Sequence, residues 1–436
     1  LVFVLLLATI SISKKPQFKR PLKKISASKT GMVSLVILVF FVIIGLLDSV
    51  HFKSTAHKTQ EIISLLDYWA APLRARSEKT YSAPFAAHLY SKETLSLSDG
   101  KTQWGYPRLK YGGSHLINPE TELSSDVLSK ACIGFIRGAT LVVLFYVLLW
   151  SFYHDRHIKL IQSSTTKAIW LVVFLLVSSS YMLIYLSGYY HVLGTDKVGE
   201  DVFYQAIKSI RTGLVIGSLT TMIMLPLAII FGIMAGFFRG WVDDVIQYIY
   251  TTLNSIPGVL LIAASILMVQ VYMSNHAEDF NSLIIRSDMR LLFLCLILGV
   301  TSWTGLCRML RAETLKLREM EYVQAAQALG VKRSTILRRH ILPNVMHIVL
   351  ISVVLDFSAL VLAEAVLSYI NIGVDPTTYS WGNMINGARL EMAREPVVWW
   401  SLLASFVFMF GLVLAANLFA DTVRNAFDPR REEQGA

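Results

Sequence analysis

The chain has 436 residues, 54% of them hydrophobic and only 16% charged, with a formal charge of +10 from 40 Lys and Arg against 30 Asp and Glu. A soluble domain carries roughly 25% charge, and a disordered chain combines low hydrophobicity with high net charge, so the composition fits neither. Three cysteines are too few for a disulfide-stapled module, and the class left is a polytopic membrane protein.

Residues 1–12, LVFVLLLATISI, are apolar but too short to span a bilayer comfortably. No small-residue cleavage pattern follows and the next segment is strongly basic, so the stretch is left unassigned. A spanning helix needs about 20 mostly apolar residues. Eight segments qualify: 31–50, 132–153, 168–188, 213–238, 245–272, 291–307, 343–368 and 397–420. Gly31 to Leu47 is free of charge, whereas 245–272 opens on the polar run Tyr250, Thr251, Thr252, Asn254 and Ser255. The fold class expected is therefore an all-α membrane protein of about eight spans.

Segment 51–131 is the only sizeable polar piece. It holds four prolines and scattered aromatics (Tyr68, Trp69, Tyr81, Trp104, Tyr106, Tyr111) without a long apolar period. It reads as a compact external loop, with structural elaboration favoured over ligand binding. Gly100, Lys101 and Thr102 match the tail of a phosphate-binding loop, but Leu95 stands where the first Gly is needed and no strand precedes it, so the match is chance. Cys132, Cys295 and Cys307 lie in or beside apolar runs, form no C-x-x-C pair, and read as small core residues.

Charge gives the orientation. With the basic segment 13–30 inside, the short inner segments hold 22 Lys or Arg and the short outer loops 7. Both termini are then cytoplasmic, the +10 is chiefly a topology signal, and nucleic acid is not an expected partner. Val202, Phe203, Ala206, Ile207 and Ile210 share one face, which predicts an interfacial helix over 201–211. Gly213 and Gly217, then Gly232, Gly236 and Gly240, recur every four residues and predict close helix packing, within the chain or on a partner.

The inner loop 306–342 is the most informative. Residues 321–330 read EYVQAAQALG, with Tyr322, Ala325, Ala326 and Leu329 at i, i+3, i+4 and i+7. A short helix with a small apolar face follows, ended by Gly330. A second short helix runs through Arg338, and Pro343 starts the next span. Eight basic residues flank an apolar helix that lacks a groove of its own, so a partner groove is expected.

This segment resembles the EAA loop of ABC-importer permeases, with Gln324 where the motif's Glu usually stands. Residues 191–217, HVLGTDKVGEDVF through Arg211 and Gly217, are similar to the HxLGTDxxGRDxF…GxRxSLxxG segment of dipeptide and oligopeptide permeases, and 255–261, SIPGVLL, to their IPxLLL element. Residues 364–373, 380–382 and 417–430 match signatures of the C-type subunit. The resemblance covers about 191–430. Departures are Glu200 for Arg, Ala420 for Gly, Asn425 for Asp, and Tyr248 and Thr251 where charges are common. Two spans, 132–153 and 168–188, are added to a six-helix core, and the even number preserves the orientation.

The resemblance implies a type I permease core (213–421), an extracytoplasmic motif at Leu193, Gly194, Thr195, Asp196, Gly199 and Asp201, and an ATPase-coupling loop (319–343). The coupling residues would be Glu321, Tyr322, Ala325, Ala326, Ala328, Leu329, Gly330, Leu342 and Pro343. It also implies a homologous second permease, two ATPase subunits carrying ATP and magnesium, an extracytoplasmic binding protein and surrounding lipid, with no cofactor, metal or catalysis in this chain. Asp356 and Glu364 are ionisable groups within the seventh span, about 80° apart around the helix. With Pro257 they are candidates for the translocation path, a buried structural hydrogen bond being the other reading. The function expected is ATP-driven import of di- or oligopeptides by alternating access. Nickel, a peptide-like antibiotic, a proton-driven secondary transporter and a sensor built on the same scaffold are the alternatives.

Overall fold

The computed structural model describes residues 16–54, 61–96, 102–153, 164–278 and 282–427; residues 1–12, the match at Gly100 and Lys101, and the tail beyond 427 lie outside them. In chain order the described elements begin with helices α1 (Pro16–Ala27) and α2 (Lys29–Ser49), hairpin β1–β2 (His51–Ser54, Glu61–Ser64), short helices α3 (Leu65–Trp69) and α4 (Ala71–Ala75), and hairpin β3–β4 (Glu93–Ser96, Thr102–Gly105). Long helices α5 (Pro119–Tyr153), α6 (Ser164–Ser187) and α7 (Val202–Phe238) follow, then α8 (Trp241–Ser255), α9 (Gly258–Asn275), α10 (Leu283–Ser302) and α11 (Thr304–Arg318). Last come α12 (Glu321–Ala328), α13 (Arg333–Ile336) with a π turn to Ile341, α14 (Leu342–Tyr369), α15 (Trp381–Glu391) and α16 (Trp400–Phe427). Among the described residues eight helical stretches are long and apolar enough to cross a membrane.

Four boundaries differ from expectation, each for a local reason. The second span begins at Pro119 rather than 132, so the external segment ends at 118. Proline at a helix start forfeits no needed N–H, and Glu120 and Glu122 in the first turn suit the positive helix end. The stretch 245–272 is two helices rather than one. Ile256 is extended (φ −92°, ψ 130°), as a residue before proline prefers, and α9 restarts after Pro257. The separate interfacial helix over 201–211 is absent, because those residues are the first turns of the 37-residue α7. Their apolar face meets protein rather than lipid: Val202, Ala206 and Ile210 are fully buried. The π turn at Leu337–Ile341 continues into α14, so no break isolates 333–341 from the seventh span.

The chain divides into two units. The first holds Ser26–Thr212 and Tyr379–Ala415. Here α5 and α6 approach closely, since a Cβ on Gly138 would stand 2.8 Å from the Ser178 Cα. The Trp381 indole N–H donates to the Ala206 carbonyl (3.1 Å) and Thr212 Oγ1 to the Tyr379 carbonyl (2.6 Å), which fixes α15 against the start of α7. A buried ion cluster ties the hairpin to the helices. Asp48, at the end of α2, accepts from Ser64 Oγ (2.7 Å) and Lys208 Nζ (2.6 Å), and Lys208 also reaches Asp67 (2.9 Å). Burial would raise the Asp67 carboxyl, but Lys208, Tyr204 and the Ser64 N–H outweigh it and hold its pKa near 2.

The second unit holds Gly213–Thr378 with residues 16–25 and 416–427. Its core gathers Met224, Ala228, Leu310, Val323, Ile336, Ile341 and Val345. Three of the spaced glycines pack within this chain: a Cβ would meet Phe357 at Gly217, the Cys307 carbonyl at Gly232 and Thr314 at Gly236. Gly240 ends the row with φ +59° and open space around it. Where lipid offers no hydrophobic drive, such contacts carry helix association. A Gly232→Val chain should therefore unfold earlier on heating in detergent, by about 1–3 kcal/mol of overpacking, and an unchanged transition would contradict this packing.

Candidate functional site

In the first unit, segment 191–201 is a turn in which nearly every side chain is engaged. Asp201 precedes α7 and caps it, one carboxylate oxygen accepting from the Phe203 (2.9 Å) and Tyr204 (3.1 Å) N–H groups. Its other oxygen accepts from His191 Nδ1 at 2.7 Å. His191 Nε2 lies 3.4 Å from Glu78 Oε1, near enough for Coulombic attraction but long for a hydrogen bond. Glu78 in turn accepts backbone N–H bonds from Lys110 (2.9 Å), Tyr111 (2.8 Å) and Gly112 (3.3 Å). Burial alone would lower the imidazole pKa, yet Asp201 and Glu78 raise it to about 9. Burial likewise works against the Glu78 carboxylate, but His191 and the three amides lower its pKa to about 2.

The other motif residues serve the same joint. Thr195 Oγ1 accepts from the Ser82 N–H (2.7 Å) and donates to the Thr80 carbonyl (2.9 Å), while its own carbonyl accepts from Trp400 Nε1 (2.9 Å). Asp196 Oδ1 accepts from Val198 and Glu200 (2.9 Å each), and its Oδ2 from Gln205 (2.8 Å). Leu193 packs against the clusters around Tyr190 and Phe203. Gly194 (φ +70°) accepts from the Val202 N–H. At Gly199 (φ +79°) a Cβ would stand 1.9 Å from the Glu78 carbonyl oxygen. The motif thus clamps segment 78–112 to the start of α7.

In the second unit, α12 has two faces. Val323 and Ala326 are buried in the core, whereas Glu321, Tyr322, Ala325, Ala328 and Leu329 are exposed, Leu329 by 82%. The expected face is therefore divided: Ala326 packs on this chain and Tyr322, Ala325 and Leu329 remain an open stripe. Gly330 (φ +74°) closes the helix with paired bonds, its N–H to the Gln327 carbonyl (3.0 Å) and the Val331 N–H to Ala326 (3.1 Å). Asn344 Nδ2 donates to both the Tyr322 hydroxyl (3.0 Å) and the His340 carbonyl (2.7 Å), linking α12 to the start of α14, where Leu342 and Pro343 stand. Asp243 takes a bidentate bond from Arg311 (2.6 and 2.7 Å), tying α8 to α11.

The remaining candidates do not converge. Pro257 is exposed at the α8–α9 break. Glu364 is buried and accepts from Ser368 Oγ at 2.7 Å, and that hydroxyl also accepts from the Val374 N–H. Asp356 is half-buried with no hydrogen bond or ion pair among the described residues. Glu78, Arg311 and Asn344 escaped the sequence reading. Asn344 was within reach, adjoining Pro343, but no local pattern marks Glu78, 113 residues before its imidazole partner.

Residues 228–433 match the model of the binding-protein-dependent transport system inner membrane component. The chain is 30% identical over 243 residues to the dipeptide transport system permease protein DppC of Lactococcus lactis, covering 56% of this chain and 65% of that one. It is 30% identical over 242 residues to the oligopeptide transport system permease protein OppC of Mycobacterium tuberculosis, covering 77% of the relative. It is 29% identical to the glutathione transport system permease protein GsiD of Pectobacterium atrosepticum, covering 73%. The chain belongs to this family of multi-pass inner-membrane transport components. Such a permease is not itself catalytic.

Two outcomes test the His191 joint. A raised imidazole pKa stabilises fully below about 6.5 and is lost as pH climbs through about 9, whereas the lowered Glu78 pKa stabilises above about 4.5 and is lost toward about 2. Thermal stability of the purified chain should therefore fall from pH 6.5 to 9, and His191→Gln should flatten that limb. Gly199→Ala forces a Cβ into a backbone carbonyl at a left-handed position and should cost more than about 1 kcal/mol, read from the same melts. Wild-type stability in that variant would contradict the clamp.

Proposed function

We propose that the chain is the C-type permease subunit of an ATP-driven importer for di- or oligopeptides, the glutathione permease relative extending the range to small modified peptides. The observation that carries this is the exposed stripe Tyr322, Ala325 and Leu329 on a short, glycine-closed helix in a chain of this family. In this reading α12 docks into a cleft on a separate ATPase subunit. Two ATPase subunits with their ATP and magnesium, a second permease and an extracytoplasmic binding protein complete the assembly. In this reading that loop and both termini lie in the cytoplasm and segment 51–118 and the Leu193–Asp201 turn outside, which the excess of Lys and Arg on the inner segments supports.

The mechanism is alternating access. Closure of the ATPase dimer displaces α12, and the Tyr322–Asn344 bond and the packing of Val323 and Ala326 pass that displacement to α14. Asp356, which has no hydrogen bond or ion pair among the described residues, is the candidate for the translocation path, while Glu364 holds the turn after α14. The chain orients and gates; its residues make and break no covalent bond. Gly330→Val places a β-branched residue at φ +74° and should abolish uptake and substrate-stimulated ATP hydrolysis in reconstituted complex while the chain still inserts. Coupled uptake at the wild-type rate would refute the docking role.

A further inference from the structure

A cavity of about 340 Å³ lies in the second unit, lined by Phe237, Phe238, Arg318, Gln327, Val331, Arg333 and Ile336. Its chemistry is one-sided. Arg318 Nη1 donates to the Phe237 carbonyl at 3.0 Å, and the Arg333 guanidinium stands 5.9 Å from the centre of the Phe238 ring. Among the described residues neither arginine pairs with a carboxylate. Glu319, next to Arg318 in sequence, is taken by Arg239 at 2.5 Å. Arg318 is thus held by a carbonyl and the exposed Arg333 lies near an aromatic ring, around a space with no acidic side chain on its wall.

From this arrangement we infer a binding site for a phosphate-bearing anion. A guanidinium offers five N–H donors in a planar fork suited to phosphate oxygens. The carbonyl bond occupies one fork direction of Arg318 and leaves others for a ligand, and Gln327 adds an amide donor. Arg318 covers the Phe237 carbonyl, one of the helix-end carbonyls that would repel an anion. Position favours a lipid as the source. Two stretches long and apolar enough to span a membrane, Val202–Phe238 and Ile285–Arg318, both end at this cavity, and the reading of 213–238 as a span puts it near the inner surface. Basic pockets between spans at that depth suit anionic headgroups. An occupant would bridge the end of α7 to the loop carrying α12.

The test uses the full chain purified into detergent after exposure to vesicles of phosphatidylcholine alone or with phosphatidylglycerol, with retained lipid counted by native mass spectrometry. Phosphatidylglycerol should be retained selectively by the wild type, and Arg318→Gln/Arg333→Gln should lose roughly tenfold or more of it. Arg338→Gln/Arg339→Gln removes the same charge from the same loop off the cavity wall and should retain it. Equal loss in both variants would mean diffuse attraction and overturn the site. Displacement of the lipid by inorganic phosphate, with thermal stabilisation by phosphate alone that the cavity variant lacks, would uphold the site and name free phosphate as its ligand. No binding of either probe, with Arg333 protected only when an ATPase subunit is present, would overturn it in favour of a protein contact.

Discussion

The constraint on which the first unit depends is an imidazolium buried between two carboxylates. His191 is 3% exposed, with Asp201 on one side and Glu78 on the other. An isolated buried charge is costly, and a pair recovers that cost only if the remaining lone pairs are satisfied. For the carboxylates they are, by the two amides at the start of α7 and the three amides of 110–112, while His191 Nε2 meets only the charge of Glu78 at 3.4 Å. Removing any member would strand the others. A segment with few apolar periods, 61–116, thereby acquires a fixed place without a large core of its own.

The same economy recurs at the α2 end, where Asp48, Lys208 and Asp67 hold the first hairpin. In the second unit polar ties are fewer and packing carries more. Gly217, Gly232 and Gly236 bring α7 against its neighbours, and Arg311–Asp243 braces the helix that precedes α12. Motif residues that look functional in sequence, such as Thr195 and Asp196, are engaged in holding the His191 joint.

Much of the fold was legible because the bilayer imposes a long apolar run on every span, and eight such runs stand out in the chain. Proline and capping chemistry decided what hydropathy alone misplaced. Ile256 before Pro257 ends a helix that apolar content would continue, and Pro119 with Glu120 and Glu122 starts one that polar content would delay. Residues 201–211 carry an amphipathic face that fits either lipid or protein, and only the partners Trp381 and Tyr379, some 170 residues on, distinguish the two. The short helix α12 and its end were readable from spacing and Gly330. The division of its face was not, since Val323 and Tyr322 differ in burial through contacts that no local pattern encodes.

The central claim is that the stripe on α12 meets an ATPase subunit. A photo-crosslinking side chain at Leu329, exposed and off the internal face, reports this directly in membranes containing the assembled transporter. The account predicts an adduct with the ATPase subunit whose yield changes when ATP binds. Adducts with lipid alone, or with the ATPase subunit at a yield indifferent to nucleotide, would contradict it.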